Sequence, residues 1–251
     1  PPSFAPGLKA SVSYYWISMK NVVAGPNTSQ FLTNPAYAGY FVIPTGTDAQ
    51  KLAQINAFHG LGSLPIEGGG SVDRLGIPQI VVDSRTANLG ESRISGIDYS
   101  VQFRIDTGLG TFTPAIAGTH GIKLDLSNPS GAPFVNQFLN GNPRDTFTAS
   151  LNYASGPVKA RVAWDYLGGY PVLGVTNQTY VESFQTVNLY ASYQLPKEGM
   201  LEGTTISLNV DNLFDEKPSF INRATGTGQI GGVGQGSFIG RFVSVSLEKK
   251  F

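Results

Sequence analysis

Apolar and polar residues alternate with a period of two along most of this chain. In residues 8–17 (LKASVSYYWI), Leu8, Val12 and Trp16 fall on one face, and Lys9 and Ser11 on the other. Successive side chains of a β-strand point to opposite faces, so each such segment predicts a strand with one apolar and one polar face. The other segments are 95–106, 146–153, 158–166, 187–195, 204–210 and 237–251, with a less regular one at 111–124. The pattern predicts about eight strands and an all-β fold.

The connections between these strands alternate in length. Residues 106–110, 154–157 and 196–203 form short segments rich in turn-forming residues. The segments at about 23–79, 125–143, 167–180 and 215–236 are longer and rich in Gly, Asn and Pro. One helix is predicted, at 47–58, with Asp48 as its N-cap. Short turns at one end and long loops at the other are typical of an antiparallel transmembrane β-barrel.

Alternation alone leaves open what covers the apolar faces. In a β-sandwich they pack against each other, whereas in a membrane barrel they contact acyl chains and the polar faces line a wet lumen. Strands of about 9–12 residues favour a tilted membrane crossing, since sandwich strands average 5–6. Aromatic residues also cluster near strand ends, as interfacial girdles require. A secreted β-sandwich that binds glycans or acts as an adhesin remains an alternative, as does a small passive outer-membrane barrel.

The composition excludes several classes of protein. Lys+Arg and Asp+Glu both number 17, so the basic excess of a nucleic-acid-binding surface is missing. The chain has no cysteine and only two histidines, so neither a disulfide framework nor a thiolate metal site is expected. No arrangement of nucleophile, base and acid can be argued from the sequence, so we expect no enzyme and no cofactor. The glycine-rich stretch at 226–236 lacks the Lys-Ser/Thr of a phosphate-binding loop.

Several motifs occur in a recognisable order. The strand at 204–210 is followed by Asn-Leu-Phe-Asp and a proline, then by a glycine-rich loop, Gly-Arg, and a last strand that ends in phenylalanine. An earlier segment, 86–112, carries Gly-Ile-Asp in a long strand that ends in a Thr-Gly turn. The motif positions are Gly96, Asp98, Asn212, Leu213, Phe214, Asp215, Pro218, Gly240, Arg241 and Phe251. With these motifs, the chain resembles the C-terminal part of the β-barrel of TonB-dependent outer-membrane receptors.

The resemblance carries expectations for the whole chain. Residues 1–251 would supply about eight C-terminal strands of a 22-stranded barrel, and the plug domain and the N-terminal strands would be absent. The intact receptor would lie in the outer membrane of a Gram-negative bacterium and import a scarce nutrient, with a ferric siderophore as the expected substrate class. Its partners would be outer-membrane lipid, the TonB complex through the missing plug and TonB box, and the barrel-assembly machinery, which would read the C-terminal strand.

Candidate ligand contacts are aromatic residues in the long loops. Tyr170, Tyr180 and Phe220 are the predicted contacts, and no metal site is predicted. His59 and His120 are expected to be solvated rather than ligating. The mid-strand charges are expected to form a solvated, mutually paired lining of the lumen; they are Asp98, Arg104, Lys159, Arg161 and Asp165.

Overall fold

The fold is taken from a computed structural model. It describes residues 5–25, 33–58, 80–83, 85–139, 141–172, 177–196, 199, 201–224 and 230–249. The chain divides into two compact units. The first comprises Pro1–Ile17, Ile94–Leu124 and Asn136–Phe251, and the second comprises Ser18–Arg93 and Asp125–Val135.

The described residues are mostly β-strands. The eight strands of the main sheet's continuous order are β1 (Leu8–Ala24), β4 (Ala87–Phe103), β6 (Gly110–Ser127), β8 (Asp145–Ser155), β9 (Val158–Leu167), β12 (Phe184–Gln194), β13 (Thr204–Asp211) and β16 (Phe242–Lys249). The short strands are β2 (Phe41–Val42), β3 (Val81–Val82), β5 (Ile105–Thr107), β7 (Val135–Asn136), β10 (Tyr170–Pro171), β11 (Tyr180–Val181), β14 (Ser219–Ala224) and β15 (Ile230–Gln235). The main sheet has ten strands in all, because two of the short ones, β5 and β7, belong to it and pair only with β6. The α-helix α1 spans Asp48–Ala57.

The main sheet follows the chain order. Its strands are arranged β1-β4-β6-β8-β9-β12-β13-β16, and from β6 to β16 each neighbouring pair is antiparallel. Such a meander needs only short turns, which the segments 106–110 and 154–157 supply. β1 and β16 stand at the two ends of this order, so the described strands do not close into a small barrel. The predicted all-β class and its eight strands are confirmed.

The register gives the main sheet one polar and one apolar face. On β9, Lys159, Arg161 and Asp165 lie opposite Ser192, Tyr190 and Thr186 of β12. The intervening residues form the apolar face, where Val162 pairs with Leu151 of β8 and Leu189 of β12. We use the names polar face and apolar face for these two sides of the sheet.

The apolar face is uncovered in the part of the chain that the structure describes. Val245 and Leu247 on β16 are 72% and 70% exposed, and Trp164 on β9 is 42% exposed. A β-sandwich would bury these side chains against a second sheet. The described residues therefore lack the second packed sheet that the sandwich alternative requires.

Two sequence predictions at element ends need correction. The predicted helix at 47–58 is confirmed, but its N-cap is Thr47 rather than Asp48, in a capping box with Gln50. The last strand begins at Phe242 and not at 237. Gly240 has a φ of 66°, a left-handed conformation that cannot continue a strand.

The second unit has its own small buried centre. Tyr37 is fully buried, and its Oη donates a hydrogen bond to the carbonyl of Asn128. The Asn128 side chain in turn donates to the carbonyl of Gly25 at 2.6 Å. Arg85 donates two hydrogen bonds to the carboxylate of the buried Asp83, from Nε at 2.8 Å and from Nη2 at 2.6 Å. Among the described helices, none has the length and apolarity to cross a membrane.

Candidate ligand-facing surface

The polar face carries a hydrogen-bonded recess across β8, β9, β12 and β13. Asp165 accepts hydrogen bonds from Thr148 Oγ1 and from Asn188 Nδ2, the latter at 2.6 Å. A cavity of about 590 Å³ opens here, with Lys159, Arg161, Asp165, Asn188, Asn209 and Asp211 among its lining residues. The recess therefore offers charges of both signs and amides.

Other mid-strand charges are also paired. Asp98 accepts from Thr119 Oγ1 at 2.6 Å, and Arg104 forms an ion pair with Asp106 at 2.9 Å. Asp98 and Asp165 are thus bonded to neutral side chains, and Arg104 is paired with a residue outside the predicted set. These contacts do not join the five predicted charges to one another, and their role as a solvated lining stays a prediction.

Asn212 connects the polar face to the loop between β13 and β16, residues 212–241. Its backbone N–H donates to Asn188 Oδ1 at 2.8 Å, and its side chain binds both the N–H and the carbonyl of Glu216 at 2.8 and 2.9 Å. Asn212 is 7% exposed and has a φ of 53°. Asparagine tolerates this left-handed conformation better than most residues, so it can both end the strand and turn the chain.

Asp215 joins the two ends of the same loop. Its Oδ1 accepts the backbone N–H of Arg241 at 2.9 Å, and Arg241 Nη1 donates to the carbonyl of Leu213 at 3.2 Å. A Cβ on Gly240 would lie 2.5 Å from the same Oδ1, so glycine makes this approach possible. Lys217 Nζ binds Asp215 Oδ2 at 2.7 Å. We call Asp215 and Arg241 with these bonds the loop clasp.

The loop clasp sets the protonation of its carboxylate. The hydrogen bond from Lys217 is the largest cause that lowers the pKa of Asp215, and the backbone N–H of Arg241 lowers it further. The carboxylate therefore stays charged at neutral pH, as an acceptor for both ends of the loop.

The structure thus brings together most of the C-terminal motif residues. Asn212, Leu213, Asp215, Gly240 and Arg241 meet at the base of one loop, where their bonds are structural. Two further motif positions, Phe214 (72% exposed) and Pro218, lie in the same loop. The last motif position, Phe251, lies outside the described residues.

Gly96 makes room for a tyrosine on the neighbouring strand. A Cβ at this position would lie 2.5 Å from Oη of Tyr15 and 2.8 Å from the carbonyl oxygen of His120. Any larger residue would displace the ring or the strand. Close packing against Tyr15 therefore explains why a glycine occupies this motif position.

The predicted aromatic contacts lie in two loops. Tyr170 and Tyr180 belong to the loop between β9 and β12, residues 168–183, and Phe220 belongs to the loop at 212–241. Tyr180 and Phe220 are 46% and 59% exposed. Tyr170 is 5% exposed and packs in a buried cluster with Val172, Val181 and Ile221. Its burial favours a supporting role, and contact of all three with a ligand stays a prediction.

Histidines and acidic residues form no metal centre in the described ranges. His120 pairs with Asp145 at 2.6 Å, and no group of three or more His, Cys, Asp or Glu side chains converges there. His59 lies outside the described residues. Within the glycine-rich stretch, residues 230–235 form β15, which pairs with β14 as a hairpin.

Sequence reasoning missed the polar residues that join the two loops. Gln178, Ser219 and Gln235 each donate from the side chain to a backbone carbonyl of the other loop. No alternation or motif marks them, because their partners are backbone atoms about 36 to 67 positions away in the chain.

Comparison with known proteins agrees with this geometry. The family model described as "TonB dependent receptor-like, beta-barrel" matches residues 4–213. A search of curated proteins found no significant match. Among solved structures, the copper transporter OprC is similar over 98% of this chain and 29% of its own, with 16% identity and a TM-score of 0.53. A variant of the ferric enterobactin receptor PfeA from Pseudomonas aeruginosa is similar over 96% of this chain and 28% of its own, with 14% identity and a TM-score of 0.53.

These matches establish the family and the fold. The chain spans less than a third of either solved structure, and at this identity the likeness concerns the fold alone. Members of the matched family are receptors and transporters rather than enzymes. The matched model covers well over half of the sequence, and the described sheet is the kind of wall such a barrel requires. The chain belongs to the TonB-dependent receptor β-barrel family.

Proposed function

We propose that residues 1–251 are the C-terminal part of the barrel of an outer-membrane receptor that imports a scarce nutrient with energy supplied through TonB. The observation that carries this proposal is the two-sided sheet, with eight strands in its continuous order, within a chain whose residues 4–213 match the receptor barrel family. Receptors of this family lie in the outer membrane of Gram-negative bacteria, and we assign the same location to this protein.

Each side of the sheet has a role in this proposal. The exposed apolar face would contact acyl chains, which removes Val245, Leu247 and Trp164 from water. The polar face would line the lumen, where the recess around Asp165 would contact water, plug or passing nutrient. The terminal strand that ends in Phe251 would be read by the barrel-assembly machinery. The remaining strands of a 22-stranded barrel, with plug and TonB box, would be supplied by sequence outside residues 1–251.

The proposed substrate class is a ferric siderophore. Tyr180 and Phe220 expose aromatic surface on two neighbouring loops, which suits a ligand with a large, partly apolar surface. Cobalamin, haem and oligosaccharides are the other substrate classes to test. The protein would hold no resident metal, since iron would arrive within the chelate.

Uptake by the complete receptor tests the proposal. We expect cells that express it to accumulate radioactive iron from at least one chelate, and we expect deletion of the TonB gene to abolish that uptake. Cells carrying an empty vector serve as the control. Cyanocobalamin, haem and oligosaccharide uptake are measured in parallel. Import that continues without TonB, or a protein absent from the outer-membrane fraction, would contradict the proposal; import of a different nutrient would contradict only the substrate class.

A further inference from the structure

Two loops at one end of the main sheet are joined through the side chain of Gln178. Its Nε2 donates to the carbonyl of Tyr180 in its own loop at 2.9 Å, and to the carbonyl of Phe220 in the other loop at 2.9 Å. Its Oε1 accepts the backbone N–H of Asn222 at 2.7 Å. One amide group therefore binds the backbone carbonyls of both exposed aromatic residues and the backbone N–H two residues after Phe220.

The same two loops are also joined by contacts at the two ends of the first loop. Gln235 Nε2 donates to the carbonyl of Gly168 at 2.7 Å, and Ser219 Oγ donates to the carbonyl of Ser183 at 3.2 Å. The ring of Phe184 packs on Gly236, where a Cβ would lie 2.7 Å from the ring. These contacts hold the bases of the loops together without Gln178.

The ring of Tyr180 packs directly against the backbone of Gly169. A Cβ on Gly169 would lie 2.6 Å from Oη of Tyr180 and 2.7 Å from its ring carbon Cε1. The ring is nevertheless 46% exposed. Its position is therefore set on one side by backbone, while other ring surface stays open to solvent. Phe220, 59% exposed, is linked to the loop of Tyr180 by the bond from its carbonyl to Gln178 and by the neighbouring Ile221, which belongs to the buried cluster.

We propose that Gln178 is a positioning residue, which couples the loops at 168–183 and 212–241 into one unit and sets Phe220 beside Tyr180 as a single contact surface. The surface deepens the proposed receptor function, since its meaning as a ligand contact rests on that function. The coupling itself is a property of the loops and is measurable without any ligand.

The first test is amide hydrogen exchange of the complete receptor in micelles. In Gln178→Ala we expect peptides from both 177–183 and 219–224 to exchange at least about tenfold faster, because three hydrogen bonds are lost. Gln178→Glu keeps the size of the side chain but turns a donor into an acceptor that faces two carbonyls, so we expect nearly the same effect. Gln194→Ala, at the opposite end of β12, is the matched control and should change neither peptide.

The second test measures positioning rather than loop stability. The chain has no cysteine, so spin labels at Tyr180→Cys and Phe220→Cys would be unique within it, and cysteines elsewhere in the complete receptor would be replaced. We expect one narrow distance distribution with Gln178 present, and a broad one in Gln178→Ala. The base contacts of Gln235, Ser219 and Phe184 remain in every variant, so the loops should stay folded.

The outcomes separate the two proposals. Faster exchange confined to 177–183, or a distance distribution equally broad with and without Gln178, would overturn the coupling. Failure of TonB-dependent uptake by the unsubstituted receptor would overturn the proposed function and would leave both loop measurements unaffected.

Discussion

Replacing Asn212 tests whether this residue closes the loop at 212–241 for the reasons that its geometry suggests. Asn212→Ala removes the two side-chain bonds to Glu216 and places alanine at a φ of 53°. Each lost hydrogen bond costs about 1 kcal/mol net, and alanine tolerates the left-handed conformation less well than asparagine, by about 1 kcal/mol. Together these effects destabilise the loop base by about 3 kcal/mol.

A glycine variant separates the two contributions. Asn212→Gly loses the same bonds but adopts the positive φ without strain, so it should lie about 1 kcal/mol closer to the unsubstituted protein than alanine does. Asn212→Asp keeps the acceptor for the Glu216 N–H and loses the donor to the Glu216 carbonyl. The stability of its loop should therefore lie between that of the unsubstituted protein and that of Asn212→Ala. The order of the three variants therefore reports the bonds and the backbone separately.

The assay is hydrogen exchange in the complete receptor, read at the amide of Glu216. A loss of about 3 kcal/mol corresponds to roughly a hundredfold faster exchange in Asn212→Ala, if this amide exchanges through local opening. Exchange of the amides of residues 191–194, at the end of β12 that lies away from the loop, is the internal control. Equal exchange in the alanine and glycine variants would refute the role of the backbone conformation, and no change in either would refute the role of the side-chain bonds.

Three further substitutions test other parts of the structure. Gly96→Ala should lower the free energy of unfolding in urea by about 1–3 kcal/mol, because its Cβ would lie 2.5 Å from Tyr15 Oη. Adding Tyr15→Ala to the Gly96→Ala variant should restore part of the lost stability. Val245→Lys should cost about 2–4 kcal/mol in the same assay because it places a charge on the apolar face, which we propose contacts acyl chains, whereas Ser246→Lys on the polar face should cost far less. Equal costs would contradict the proposed environments of the two faces. The clasp formed by Asp215 should hold above the ordinary aspartate pKa and loosen as the pH falls through its lowered value, because the folded loop favours the charged carboxylate. The protection factor of the Arg241 amide, which compares its exchange rate with the intrinsic rate at the same pH, should therefore fall in acid, and in Asp215→Asn it should lose this pH dependence.

The strands could be predicted because their signal is local. In 158–166, Val162 and Trp164 alternate with Arg161 and Asp165, and this pattern is sufficient to define both faces of β9. The beginning of the last strand could not be predicted from such a local pattern. The segment 237–241 continues the apolar pattern with Phe238 and Ile239, yet Gly240 turns there because Asp215, 26 residues away, accepts the N–H of Arg241.

The exposure of the candidate ligand contacts also could not be predicted from local sequence. Tyr170, Tyr180 and Phe220 look alike as loop aromatics, but the first is 5% exposed and the other two are 46% and 59% exposed. Which loop aromatic faces water depends on the apolar side chains from the other loop that pack beside it, here Ile221. The sequence does not encode that neighbour at any fixed spacing.

The sequence by itself determined the all-β class, the alternating faces, the short turns and the motifs of the receptor family. These properties follow from residues close together in the chain, because the two-residue period of a strand and the backbone preferences of turn residues act locally. Only the tertiary structure decided that Asn212, Asp215 and Arg241 close one loop, and that Gln178 joins that loop to its neighbour. The physical reason is that these bonds are formed largely with backbone atoms distant in the sequence, and backbone atoms are the same in every residue.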